Sequence, residues 1–554
     1  MTYRAALADT RFILQHVLPL APLAATERFA EATPELVDSV LTEAARLCDR
    51  VLAPTNRAGD LTPARLENGV LRSSPGFAEA FRAIAEGGWV GLSASPAHGG
   101  MGLPQVVSQA VGEMMAGANL ALQLNPLLTH GQIEALEHHA DPQMQALYLP
   151  RLISGQWSGT MNLTEPQAGS DVGALRCRAE PGPDGTHLIT GQKIFITWGD
   201  TDFTENVCHL VLARLPDAPP GTRGISLFMV PKFIPDAEGR PGAANALRVV
   251  SLEHKLGIHG SPTCVMAFEG ATGWLVGAPH GGMAAMFTMM NAARLSVGMQ
   301  GVGVAEAALQ KAATYAAGRE QVGPIIRHAD VRRMLACARA EVFAARAICM
   351  ACAMALDLAA AGDESARARA AFLTPIAKAY GTDVGCRVAD TGVQVHGGMG
   401  YIEETGAAQH LRDARITAIY EGTNGIQAMD LVARKMADGG AAALALLDEV
   451  EAEAVGPLGA PVAEAARALR AATGALLAAG MPDRFAGAVP YLTAFARVLG
   501  AHFHLRAARA DPAREGLARI FVTRILPRLS GDLAEAEAGV ADLDALDDSV
   551  FGGA

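Results

Sequence analysis

The chain changes texture partway along, and this limits its fold more than any other feature. From about Met161 to Gly277, β-favouring runs (Leu188–Thr190, Lys193–Thr197, His209–Ala213, Ile225–Val230 and Thr263–Phe268) are separated by Pro, Gly and Asp turns. Before it, apolar residues recur at helical spacing in Phe12–Val17 and Leu36–Val51. A Gly/Pro-rich break at 95–104 precedes a further helical run, Val106–Ala118. Helix returns at about Gly282 and runs to Lys435, and Gly439-Gly440 then marks a break. Beyond it the helical pattern resumes in Ala441–Val455, Val462–Ala479, Val489–Ala510, Ala513–Leu529 and Leu533–Asp548. This order predicts an α+β chain rather than a doubly wound α/β sheet. The expected divisions are 1–157 (helical), 158–280 (β-barrel-like), 281–438 (helical bundle) and 441–554 (a helical annex).

With 57 acidic against 45 basic residues, the net charge of −12 disfavours a broad grip on nucleic acid. Arg506, Arg509, Arg514, Arg519, Arg524 and Arg528 in the annex could share a helix face. They read better as a solvated face paired with nearby acids, Asp532 to Asp548 being strongly acidic. The eight cysteines are scattered and form no disulfide framework. Cys349-x-x-Cys352 falls inside a helical pattern, Val342 to Ala360, and reads as buried packing; no metal site is expected. The first 30 residues carry no secretory pattern, and charges break the apolar stretches before 18 residues. A cytoplasmic protein without a membrane span is expected.

Three segments carry chemistry. In Met161 to Asp171 a strand-like run ends at Thr164 and a turn supplies Gly169 and Ser170. The glycine permits close backbone approach, and the hydroxyls can donate to an anionic or carbonyl oxygen. In Thr190 to Trp198, alternation places Phe195 and Thr197 on one strand face, with Ile194 and Ile196 on the other. An aromatic beside a hydroxyl could stack on a flat ring and bond its edge. In Leu411 to Gln427, Glu421 stands between Tyr420 and Gly422 after apolar Ile416, Ala418 and Ile419. Partial desolvation there would make the carboxylate a stronger base toward a carbon acid.

Together these segments resemble the acyl-CoA dehydrogenase family over about residues 35–435. The resemblance rests on T-E-P-x-A-G-S-D (Thr164 to Asp171), G-x-K-x-[WF]-I-T (Gly191 to Thr197) and an arginine opening a long helix (Arg294). R-x-x-[FV]-G (Arg319 to Gly323), Q-x-x-G-G-x-G (Gln394 to Gly400) and I-Y-E-G-T (Ile419 to Thr423) follow in the family's order. Residues 253–263, Gly273 to Gly277 and the annex resemble a larger-subunit branch that includes dehydrogenases acting on 3-methylthiopropanoyl-CoA.

The resemblance implies a helical N-terminal domain, a central β domain, a C-terminal four-helix bundle and the annex. It also implies FAD, an acyl-CoA substrate and a homodimer or dimer of dimers, with electrons passed to an electron-transferring flavoprotein. Leu163, Thr164, Gly169 and Ser170 would face the flavin and its pyrophosphate, and Phe195 and Thr197 its ring. Arg319, Gln394 and Gly398 would hold the adenosine diphosphate part of a neighbouring subunit's flavin, and Thr423 is a further cofactor contact. Ser170, Arg294, Tyr420 and Gly422 would serve the substrate, with Glu421 as the catalytic base. Some members carry the base immediately before the helix-opening arginine; here that position is Ala293, which cannot take a proton.

Three positions depart from the family pattern. Gly425 stands where many members have Gln, Val322 where Phe is common, and Phe195 where many have Trp, with Trp198 three residues later. Two other readings remain open: an acyl-CoA oxidase that hands electrons to oxygen, and a flavin-bearing relative that binds nucleic acid.

Overall fold

The computed structural model describes residues 3–552. Contacts divide the chain into two compact units, one of Val40–Ser296 and one of Ala6–Ser39 with the chain from Val297 onward.

In the first unit a long helix, α1 (Gln105–His139), continues well past the expected Val106–Ala118. Asn119 leaves helical geometry (φ −159, ψ 93), and its Oδ1 accepts from the Leu122 amide at 3.1 Å, restarting the helix beyond the kink. The sheet is built from β1 (Trp157–Asn162), β2 (Arg178–Pro181), β3 (His187–Thr197), β4 (Asn206–Arg214), β5 (Ile225–Pro231), β6 (Leu247–Leu252) and β7 (Thr263–Val276). Its order is β6-β7-β3-β2-β4-β1, and β5 bridges β7 and β4, so the sheet curls back on itself. A core of Ile189, Ile196, Val211, Phe228, Val230, Met266 and Phe268 fills it.

Two of the expected runs, Leu188–Thr190 and Lys193–Thr197, prove to be one strand, β3. Gly191 (φ 153) lets it continue, because a Cβ there would lie 2.9 Å from Cys177 Sγ. The expected strict alternation at its end fails. Ile196 pairs with Cys264 and Lys193 with Met266, so β3 spends three residues where β7 spends two. This bulge puts Lys193 and Ile196 on the buried side and turns Phe195 outward.

The second unit is helical: α2 (Gly282–Gly318) enters it at Val297, followed by α3 (Ala329–Ala360), α4 (Glu364–His396), α5 (Ala407–Arg415) and α6 (Asn424–Asp430). Glycines bring α2 and α4 unusually close. A Cβ on Gly298 would lie 2.6 Å from the Ala377 carbonyl oxygen, and one on Gly381 2.5 Å from that of Gly298. Cys349 and Cys352 lie buried in α3, with thiols turned to the Ala377 and Ala370 carbonyl oxygens of α4 at 3.5 and 3.8 Å. α3 is long and apolar enough to cross a membrane by composition, but 89% of that stretch is buried in the protein.

The annex contributes α7 (Ala441–Glu453), α8 (Gly459–Ala478) and α9 (Ala488–Ala510). α9 packs on α3 and α4. His504 Nε2 donates to the Ala340 carbonyl at 3.0 Å and its ring lies 4.8 Å from Phe343, while Phe495 meets Phe372 edge-on at 4.9 Å. The helix expected over Ala513–Leu529 forms, within a helical run from Pro512 to Ala536, but its turns vary in pitch: α-helical at Glu515–Ile520, a π turn at Phe521–Ile525 and a 3-10 turn at Leu526–Arg528 that holds Pro527. Of the acids in 532–548, Asp532 pairs with Arg497 at 2.6 Å, while four of the six arginines of 506–528 meet acids elsewhere. Arg506 pairs with Glu449 and Glu453, Arg509 with Glu453, Arg514 with Asp9 and Arg519 with Glu515.

Candidate active site

In the first unit the turn after β1 is tied to the bulged end of β3. Glu165 and Ala168 exchange backbone hydrogen bonds of 3.0 Å, closing a turn that leads directly into an exposed tip at Gly169 and Ser170. The buried Glu165 carboxylate accepts from Lys193 Nζ at 2.8 Å, Gln167 Nε2 at 2.7 Å, and the amides of Arg176 and Cys177 at 2.6 and 3.0 Å. Burial alone would raise its pKa, but the Lys193 charge and these hydrogen bonds outweigh that and hold it below the usual carboxylate range. Lys193 Nζ also donates to the Leu163 carbonyl at 3.0 Å, and the Ile194 amide to that of Thr164 at 2.9 Å. Leu163 and Thr164 are thereby held beside Phe195 and Thr197. A Cβ on Gly169 would meet nothing within 4 Å, so the tip stands open to a ligand.

Phe195 adopts a left-handed backbone (φ 60) and is 59% exposed, its ring presented outward from the bulge. Trp198, also left-handed (φ 52), turns the other way: it is buried, and its Nε1 donates to the Ala121 carbonyl at 3.1 Å. Between them the Thr197 carbonyl accepts from Thr160 Oγ1 at 2.7 Å. Phe195, and not Trp198, is therefore the aromatic available to a flat ring. Arg294 is buried in α2, donating to Asn291 Oδ1 at 3.2 Å over the Phe287 ring.

In the second unit the residues around Glu421 form an over-determined turn. Glu421 (φ 57) and Gly422 (φ 85) are both left-handed, an arrangement a non-glycine residue keeps only when its surroundings impose it. On one side the Tyr420 hydroxyl donates to Oε1 of Gln300, a fully buried residue of α2. On the other, buried Gln427 donates through Nε2 to the Glu421 and Gly422 carbonyls at 3.2 and 3.4 Å. Thr423 caps α6, its hydroxyl accepting from the Ile426 amide at 3.4 Å. Burial pushes the Tyr420 phenol up, with the nearby Glu421 charge adding to it, so Tyr420 stays a neutral donor. Ile416 and Ala418 are half-buried and Ile419 exposed, so the carboxylate emerges at the border of an apolar segment.

The end of α2, just before Arg319, packs on the end of α4, which carries Gln394: Tyr315 stacks on His396, ring centroids 4.3 Å apart, and Ala312 and Ala316 pack with Val395. Arg319, Gln394 and Gly398 are all exposed there, next to exposed Val322, Met399, Tyr401 and Ile402. Gln300, Gln427 and the Glu165–Lys193 pair were not anticipated. Glu165, Lys193 and Gln427 stand inside the motif segments already quoted, whereas nothing local marks Gln300, which lies 120 residues from its partner.

The comparisons with known proteins agree along the chain. Residues 38–156, 160–271 and 280–436 match the N-terminal, middle and C-terminal domains of acyl-CoA dehydrogenases, and 434–547 match an acetyl-CoA dehydrogenase C-terminal-like domain. A 3-methylmercaptopropionyl-CoA dehydrogenase of Ruegeria pomeroyi is 46% identical, covering 89% of this chain and 88% of its own length. Among solved structures, Caenorhabditis elegans ACDH-11 in complex with C11-CoA superposes with a TM-score of 0.83 at 20% identity, over 99% of this chain and 95% of that one. An acyl-CoA dehydrogenase of Bacillus anthracis complexed with FAD gives 0.76 at 20% identity, over 93% and 90%. At such identity the two structures speak for the fold alone.

Proposed function

Since the chain belongs to the acyl-CoA dehydrogenase family, we propose that it converts an acyl-CoA thioester to the trans-2-enoyl-CoA with Glu421 as the base. The observation that carries this reading is the Glu421 turn: a carboxylate in a left-handed conformation, locked from both sides by Gln300 through Tyr420 and by Gln427. Such locking suits a base that must meet a carbon acid in one orientation.

The residues present fit FAD. An exposed aromatic ring at Phe195, an open glycine-serine tip at 169–170 and the backbone of Leu163 and Thr164 form a rigid platform of the right chemistry. Phe195 and Thr197 would lie against the ring system and Ser170 near the pyrophosphate, and Thr423 would be a further cofactor contact. When bound, FAD supplies the acceptor for the hydride that leaves the β-carbon. Glu421 takes the α-proton on its carboxylate, and its backbone N–H donates to the thioester carbonyl oxygen as enolate charge develops. Tyr420 and Gly422 shape the turn around the thioester. Arg294 and Ser170 would serve the substrate, Ser170 as well as the cofactor.

Exposed Arg319, Gln394 and Gly398 would hold the adenosine diphosphate part of a second subunit's flavin, making the protein a homodimer or dimer of dimers. The exposed apolar side chains beside them support this reading. An electron-transferring flavoprotein is the proposed acceptor. The eight free thiols suit the reducing cytoplasm. We take the acyl group as 3-methylthiopropanoyl or a short to medium chain, by likeness to the Ruegeria pomeroyi relative.

Flavin bleaching with a panel of acyl-CoAs tests the reading. Glu421→Gln should bind flavin and ligand yet fail to bleach, and bleaching at the wild-type rate would remove Glu421 from the role. Timed reoxidation by air or by the flavoprotein then separates oxidase from dehydrogenase.

A further inference from the structure

Asn424, three residues past the base, begins α6 and reaches back into α4. Its Oδ1 accepts from Lys378 Nζ at 2.8 Å, and its Nδ2 lies 2.7 Å from Asp383 Oδ1, 2.9 Å from Thr382 Oγ1 and 3.3 Å from the Ala379 carbonyl. A cation at the oxygen and a carboxylate at the nitrogen fix which way the amide points. Lys378 is fully buried, a costly location for an ammonium unless it is put to use. Lys378, Thr382 and Asp383 share one face of α4, and the glycine contact with α2 holds α4 close to the helix that carries Gln300.

We propose that Asn424 is a positioning residue for the base, locking the start of α6 to α4 so that the strained Glu421-Gly422 turn cannot relax. This rests on the reading of Glu421 as the base. Thr423 caps α6 and Gln427, one turn on, holds the Glu421 carbonyl, so a shift of α6 moves the turn with it. The strain at Glu421 is stable only while both ends of the turn are held, and Asn424 holds the end that Gln300 does not reach.

The test uses the flavin-loaded enzyme and the acyl-CoA that bleaches it fastest. Asn424→Asp sets a carboxylate against Asp383, and bleaching at saturating substrate should slow about 10- to 100-fold, the scale of a small misplacement. Flavin content and KM should stay near wild type, and the isotope effect with α-deuterated substrate should rise as proton transfer becomes limiting. Adding Asp383→Asn restores a donor opposite the new carboxylate and should recover most of the rate. Should Asn424→Asp not fold, Asn424→Ser, which keeps only a hydroxyl, carries the same expectation. A wild-type rate in the single variant, no recovery in the double variant, or a slowed rate with an unchanged isotope effect would overturn the proposal. Glu421→Gln run alongside keeps the two readings apart, because its failure to stop bleaching would remove the base and not the clamp.

Discussion

Lys193 Nζ lies 2.8 Å from Glu165 Oε1, and neither side chain reaches solvent. The pair joins the turn carrying Thr164 and Ser170 to the bulge carrying Phe195, so a buried charge pair inside two recognition motifs sets the distance between the surfaces offered to the cofactor. Lys193→Met should cost about 3–5 kcal/mol, because Glu165 keeps its hydrogen bonds from Gln167 and the Arg176 and Cys177 amides but loses its buried counter-charge. The effect should depend on pH. Glu165 sits below its unfolded value, so its stabilisation is present above the ordinary glutamate range and lost as pH falls through the folded pKa. Urea titrations of wild type and Lys193→Met should therefore converge in acid, and a gap that persists there would contradict the assignment.

Phe195 offers a way to separate stability from cofactor binding. Its left-handed backbone would suit glycine better, so Phe195→Gly should leave the flavin-free protein as stable as wild type or about 1 kcal/mol more so. The same change removes the exposed ring, and flavin retention on dilution should drop. Loss of stability together with unchanged flavin retention would mean the ring is a packing element.

What the sequence reveals here is set by range. The annex helices Ala441–Glu453 and Ala488–Ala510 begin and end close to where their apolar periodicity predicts, because an amphipathic face is local information. The stretch from Ala513 to Leu529 is helical as the same periodicity predicts, but its changes of pitch, a π turn at Phe521–Ile525 and a 3-10 turn at Leu526–Arg528, are not written in an apolar pattern. Glu421 is singled out by the order of the motifs, since alone it reads as a surface charge; nothing singles out Gln300, because its bond to Tyr420 spans 120 residues. The bulge at Phe195 also escaped, as it arises from a mismatch with β7 and not from anything within β3.

Arg319 and Gln394 stand exposed at helix ends joined by the Tyr315–His396 stack and by Ala312 and Ala316 packed with Val395. If they hold a partner's flavin, Arg319→Ala should weaken FAD by about 1.5–3 kcal/mol, or roughly 10- to 150-fold, the scale of a hydrogen bond to a charged group. The loss should appear as flavin released on gel filtration while the folded chain remains. An Arg319→Ala protein that keeps its full flavin complement would place the adenosine diphosphate elsewhere.

A buried cluster should govern acid stability more than any surface pair. Asp9 is buried, with Arg339 and Arg514 each donating at 2.7 Å and Arg346 at 3.4 Å, while Arg346 and Arg339 also reach Glu306 at 2.9 and 3.0 Å. Burial alone would raise Asp9, but the Arg346 and Arg339 charges and the Arg514 hydrogen bond hold it below the usual aspartate range. Its contribution is therefore present above the unfolded aspartate value, near 4, and falls away as pH drops through the folded pKa. Asp9→Asn keeps the shape but removes the negative charge, leaving Glu306 as the remaining carboxylate among three guanidiniums. The variant should lose about 3–5 kcal/mol at neutral pH. It should lose progressively less as pH falls through the folded Asp9 pKa, where the wild-type carboxylate is itself protonated. Bleaching at low temperature should be unaffected, since Asp9 joins the N-terminal segment to α3 and the annex and not to the Glu421 turn. A slowed bleaching rate in a fully folded, flavin-loaded Asp9→Asn protein would show that the cluster reaches the base after all.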